Sequence, residues 1–290
     1  MVAYYQMMGT PKNTKKHLPI LKFTLLVSSF VSLVLWLYLR TSIPASDSSI
    51  GNYFALSLSI TPFIAGCFGF AIAKGWGGAK SLLGKAILSL SIGLVLWSLG
   101  NFVWSYYNLV QHVAAPYPSF ADVGYGLGVL FWILSTIYLG RALGVPMMLR
   151  KRPALKLVAV GFATVSVAVS YYLFIVIARG GNLGLQSDDM LKAFFDLYYP
   201  LTDVCALIAI TMVAIVSARY IGGLLRKPAL AILLGMTASY IYDLTFSYYT
   251  TKETYVNGQF TDIFLLIATV ALSVAIVMFG NRAVNLKPED

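Results

Sequence analysis

The fold class this sequence predicts is all-α, a polytopic membrane helix bundle with eight transmembrane helices. Three observations carry that reading. Of 290 residues, 59% are hydrophobic and 11% charged, against roughly a quarter charged in an ordinary soluble domain. The apolar residues gather into eight runs, each near the length of about 20 residues that a helix needs to cross a bilayer. Between the runs, basic and acidic residues are sorted to opposite ends, as a membrane topology leads one to expect.

The runs fall at 18-39, 53-74, 84-107, 122-143, 155-178, 193-218, 229-250 and 261-281. The first exceeds the roughly 7 to 15 residue core of a cleavable signal peptide and reads as a retained helix. The second carries Pro62 and Cys67, and the third Gly93, Trp97, Asn101 and Trp104. Before the fourth, Ser119-Phe120-Ala121-Asp122 places an acid three residues after a serine, a capping-box arrangement favoured by the helix dipole. Its Gly124-x3-Gly128 reads as a close-packing motif between membrane helices. The fifth rests on hydrophobicity alone. In the sixth, Asp196 and Asp203 are seven residues apart and share a face, and Pro200 between them is expected to kink the helix and free backbone carbonyls. The seventh holds Tyr240, Asp243 and Ser247, and the eighth opens near Asp262.

Lysine and arginine in short loops stay on the cytoplasmic side. With the amino terminus inside, 17 of the 21 basic residues are inside, and Arg40, Arg179, Lys192 and Lys252 are outside. Acidic residues do the opposite: Asp47, Asp122, Asp188, Asp189, Asp196, Asp203, Asp243, Glu253 and Asp262 fall in the outer half, leaving Glu289 and Asp290 inside. The organisation expected is a cytoplasmic tail over 1-17, four helices over 18-143, four more over 153-281, and a cytoplasmic tail over 282-290. The net charge of +10 then belongs to the inner face, where it attracts anionic inner-leaflet lipid. Scattered in short loops, these charges do not form a nucleic-acid surface.

The two sets of four helices read as a duplication. Pro62 and Cys67 match Pro200 and Cys205, each 138 residues on; Gly93 and Asn101 match Gly235 and Asp243, 142 on; Asp122 matches Asp262, 140 on. Four helices per unit is an even number, so both units enter the membrane in the same sense and form a parallel repeat. Matched positions then lie at matched depths, and residues of the third and seventh helices are expected to face one another.

Ionisable and strongly polar groups inside a bilayer are costly and mark functional candidates. Asn101, Asp203 and Asp243 are those groups here, all expected near one depth below the outer surface. Trp97, Asn101 and Trp104 fall on one helical stripe and Tyr240, Asp243 and Ser247 on another, with Tyr199 at a similar level. A carboxylate ringed by aromatic faces suits an amine or other cationic ligand, because charge and ring quadrupoles both attract it. The opposing reading makes the aromatic residues an interfacial belt, with the aspartates tied to buried hydroxyls.

Several chemistries are excluded by supply. Two cysteines and two histidines make neither a disulfide framework nor a cysteine-rich metal domain. Cys67 and Cys205 read as small hydrophobes. No lysine lies deep in a helix to hold retinal, and His17 and His112 lie outside the runs, which excludes an intramembrane haem with two histidine ligands. There is no Gly-x-Ser-x-Gly, and the nearest approach to a phosphate loop, at Gly84-Lys85, has Ala79 and Ala86 where glycine and a hydroxyl residue are needed. No cofactor and no catalytic constellation are expected. A lipid-acting enzyme built from the outer aspartates is the remaining enzymatic reading.

Leu96-Trp97-Ser98-Leu99-Gly100-Asn101, followed by Pro116-Tyr117-Pro118-Ser119-Phe120-Ala121-Asp122 and Gly124-Tyr125, resembles a recurring pattern of prokaryotic multi-helix sensor domains. Those domains precede diguanylate cyclase, phosphodiesterase or histidine kinase modules. Asp243 with Tyr255-x2-Gly258-x3-Asp262 resembles the second half of the same pattern. The resemblance covers helices 3-4 and 7-8, and it carries no catalytic residue over to this chain. It implies an integral-membrane sensory module. No output module follows the eighth helix, so the expectation is a stand-alone sensor that binds a small ligand in an outward pocket and signals through a cytoplasmic or membrane partner. The residues leave two alternatives: a proton- or cation-coupled small-molecule transporter, and a structural subunit of a membrane complex.

Overall fold

The structure, a computed structural model, describes residues 12–42, 48–177, 179–181, 190–220 and 225–285. Most of the amino-terminal tail, Asp47, Asp188, Asp189, Lys287, Glu289 and Asp290 lie outside the described residues.

The described residues form helices and no strand: α1 Lys12–Ser42, α2 Ser48–Gly75, α3 Leu82–Leu109, α4 Phe120–Ala142, α5 Val145–Lys151, α6 Pro153–Ser170, α7 Met190–Tyr220, α8 Arg226–Thr251 and α9 Asp262–Asn285. All but the short connector α5 are long and apolar enough to cross a membrane, eight spans in total. The helices outrun the hydrophobic runs because hydrophobicity marks the buried length, whereas helix ends are built from polar caps. At the start of α3, for example, Gly84 N donates to Ser81 Oγ at 2.8 Å. For the same reason α1 begins at Lys12, inside the segment expected to be a tail, and α9 runs on to Asn285. Beyond Ser170, α6 continues as π-helical winding over Tyr171–Ile177.

Helices α2, α3 and α4 pack side by side, and small residues let the backbones of α3 and α4 approach. A Cβ on Gly124 would stand 2.7 Å from Leu96 O, and one on Gly100 would stand 2.6 Å from Ala121 O. Gly124 and Gly128 therefore serve helix packing. We expect Gly124→Ala to destabilise the protein by about 1–2 kcal/mol, since overpacking forces backbone shifts. On α6, Gly161 meets nothing within 4 Å, so Gly161→Ala is expected to be neutral or mildly stabilising through helix propensity. Unfolding of both variants in mixed micelles checks the contrast; equal effects would contradict the close contact.

The two sets of helices interlock reciprocally, with α2 against α9 and α4 against α7. At one end Trp76 Nε1 donates to Phe279 O at 3.2 Å, and at the other Trp36 Nε1 donates to Gln259 O at 3.2 Å. These bonds tie α2 to α9 and α1 to the α8–α9 loop. Hydroxyls seat α1 on α2, through Ser28 with Thr61 at 2.8 Å and Ser57 with Ser32 at 2.9 Å. The opposite face of α1 exposes Phe23, Leu26 and Phe30, as a lipid-facing surface does. Cys67 and Cys205 are both free and exposed, on the outside of the bundle rather than in its core. Helices α3 and α8 do not pack closely; a cavity lies between them, bridged by the rings of Trp104 and Phe246 at 6.0 Å.

Candidate ligand-binding cavity

The cavity measures about 740 Å3, within the range of about 300–1,000 Å3 typical of small-molecule sites. Its lining runs from Thr251 and Glu253, at the end of α8, down to Asp243 and Ser239. Asp243 lies eight residues before Thr251, so it is about 12 Å deep along the helix. Nine of the lining residues are aromatic, which makes ring faces the dominant surface. Trp104, Phe246 and Tyr255 form one wall, with Phe246 and Tyr255 at 4.7 Å and Trp104 and Tyr255 at 6.4 Å. Trp97 lies behind, its ring tilted against that of Tyr125 at 5.6 Å.

That wall is anchored by the strapped α8–α9 loop. Asn257 Nδ2 donates to Asn52 Oδ1 at 2.8 Å, and Trp104 Nε1 donates to Asn257 Oδ1 at 3.3 Å. The hydroxyls of Tyr242 and Tyr255 meet at 3.2 Å, and Tyr255 reaches both oxygens of Asp262 at 3.4 Å. Burial, reinforced by the Asp262 charge, pushes the Tyr255 phenol well above its ordinary value. It therefore remains a hydrogen-bond donor.

Four carboxylates line the cavity: Asp122, Asp243, Glu253 and Asp262. Two are spent on helix starts. Asp122 Oδ2 accepts from Ser119 N at 2.7 Å and its Oδ1 from Tyr199 OH at 2.8 Å, completing the capping box that opens α4. Asp262 Oδ2 accepts from Gly258 N at 2.7 Å. Glu253 is exposed at the mouth. Asp243 differs from all three in lying deep within α8, away from any helix start, beside Ser239 and Asp203.

The residues singled out from sequence divide into three groups. Asn101, Asp243, Trp97, Trp104 and Tyr199 line one cavity. Asn101, however, is fully occupied: its Nδ2 donates to Ala55 O and to Ser59 Oγ, both at 2.7 Å, and its Oδ1 accepts from Tyr125 OH at 3.0 Å. It is a staple among α2, α3 and α4 rather than an open ligand contact. Asp203 and Tyr240 lie outside the lining. Asp203 shares a face of α7 with the lining residues Tyr199 and Pro200 but lies one turn further along the helix, where it is buried beyond the cavity. Tyr240 sits about 60° around α8 from Asp243, which turns it toward α6, where its hydroxyl meets that of Ser170 at 3.0 Å.

Sequence reasoning missed Tyr125, Tyr242, Phe246 and Ser239, and it missed Arg179 and Lys192, which also line the cavity. Tyr242 and Phe246 carried a signal: with Ser239 they lie three and four residues from Asp243 or from one another, the spacing of neighbours on a helix face. No metal-ligating cluster occurs among the described residues. Compared with protein-family models, curated proteins and solved structures, the chain matches none of them.

Proposed function

We propose that this chain is a sensor-like membrane receptor whose outward cavity binds a small organic cation between Asp243 and the surrounding aromatic rings. The observation that carries the reading is the state of Asp243. Of the deep carboxylates in the cavity it is the one not consumed by a helix cap, and it faces a pocket of about 740 Å3 whose walls are largely aromatic. A cation there gains from the carboxylate and from ring quadrupoles, each worth more out of water. In this reading the chain has both termini in the cytoplasm, its basic inner face rests on anionic lipid, and its two halves are parallel repeats. The reciprocal packing of α2 on α9 and α4 on α7 supports the last point. Ligand binding between the halves changes their packing and is read by a signalling partner.

The test uses protein in lipid nanodiscs and calorimetric titration with benzyltrimethylammonium, a fixed cation on an aromatic body, against neutral benzyl alcohol. Selective binding of the cation is expected. Equal binding of both, or of neither, would refute the cationic site.

A second reading, a cation-coupled transporter, draws support from the contact between Asp203 and Asp243 inside the bundle. It predicts cation-dependent flux in reconstituted vesicles that Asp243→Asn abolishes, whereas a receptor gives none.

A further inference from the structure

Behind the cavity floor stands a second acid that the binding reading does not use. Asp203 on α7 is 5% exposed, and its carboxyl adjoins that of Asp243 on α8. Its Oδ2 is buried with no hydrogen-bond donor directed at it. Two adjoining carboxyl groups can bond to each other only when one of them carries a proton, since an ionised carboxylate only accepts. Two bare carboxylates in contact in a bilayer interior would also repel each other strongly.

Resting on the cation-binding reading, we infer that Asp203 and Asp243 hold one proton between them and exchange it for the bound cation. In the empty site the pair carries two carboxyl groups and one proton, a net charge of −1. Binding brings one positive charge to Asp243, and the shared proton leaves through the cavity to water. The bound site then carries two carboxylates and one organic cation, again a net charge of −1. No covalent bond to carbon changes and no electron moves. The exchange keeps the buried charge constant, which avoids the desolvation cost of adding an uncompensated ion.

The surroundings fit an exchange located at this pair. From α3 the nearby polar group is Asn101, which is neutral and fully bonded. From α4 come Asp122, held by Ser119 and Tyr199, and Tyr125, held by Asn101. From α9 comes Asp262, held by Gly258 and Tyr255. Tyr199 of α7 and Tyr242 of α8 donate or share hydroxyl bonds elsewhere. Arg179 and Lys192 line the same cavity, and beside the two acids stand Ser239 and the phenols of Tyr125 and Tyr199.

Proton release distinguishes this idea from simple binding. Titrating wild-type nanodiscs with benzyltrimethylammonium in two buffers of different ionisation enthalpy is expected to give about one proton released per cation bound, and affinity about tenfold weaker for each pH unit of acidification while the pair stays protonated. The probe has no titratable group, so the slope belongs to the protein. Binding without release would overturn the exchange and leave the receptor reading standing. If the probe does not bind, infrared spectroscopy of the empty protein decides the proton alone: a protonated-carboxyl band, lost in both Asp203→Asn and Asp243→Asn, supports it. Absence of that band in the wild type, with thermal stability rising on adding sodium in place of choline, would instead put a metal cation between the two acids and overturn the inference.

Discussion

Replacing Asp243 by Asn is expected to weaken benzyltrimethylammonium binding by about 2 kcal/mol, about thirtyfold, because the substitution keeps shape and removes charge. The amide stays beside the Ser239 hydroxyl and matches the carboxylate in size, so the helices are expected to stay where they are and the loss is read by calorimetry. Glu253 is the control. It lines the same cavity but is exposed at its mouth, where water and salt screen it, and Glu253→Gln should change affinity by less than about threefold. Equal losses in the two variants would mean that the cation is drawn by diffuse negative potential rather than held at Asp243, and the site would have to be withdrawn.

The second large effect is structural. Asn101→Leu removes three hydrogen bonds at once and leaves Ser59 Oγ and the Tyr125 hydroxyl facing an apolar side chain. Hydrogen bonds between membrane helices average well under 1 kcal/mol each, but orphaned buried polar groups cost more. We expect a loss of about 2–3 kcal/mol in denaturant titrations, against about 1 kcal/mol for Tyr125→Phe, which removes one bond. Cation affinity of folded Asn101→Leu should stay within about threefold of wild type, since the staple and the acid are separate sites. A neutral Asn101→Leu would show that the bonds contribute nothing net, and a large loss of affinity would return Asn101 to the ligand site.

These predictions rest on a difference between two residues that look alike in sequence. Asn101 and Asp243 lie 142 residues apart, each eight residues after a glycine, Gly93 and Gly235. The fates of the two diverge because of what stands opposite. Asn101 meets the Tyr125 hydroxyl, Ser59 and a carbonyl, and every one of its polar functions is satisfied. The residue 140 positions beyond Tyr125 is Leu265, which lines the cavity and offers no hydroxyl. Asp243 is left with Ser239 and Asp203. Similar reasoning covers Asp122 and Asp262: the Ser119-x2-Asp122 spacing announces a cap in the sequence, but the Tyr199 and Tyr255 hydroxyls that complete the two arrangements come from other segments and are invisible to spacing.

The eight spans, with ends within a few residues, could be read from the chain alone, because a helix in lipid must satisfy its backbone internally and present about 20 apolar side chains. That is a local sum over neighbours in sequence. The same holds for the acid at the start of α4, whose cap is closed within three residues. Whether a polar side chain is spent or open is not local: it depends on pairs of groups brought together across α2, α3, α4, α7 and α8. Folding separated Asn101 from Asp243 in role, moved Asp203 behind the cavity floor and turned Tyr240 toward α6. Hydrogen bonding and packing act between particular atoms at short range, so residue type and depth do not specify them until the helices have met.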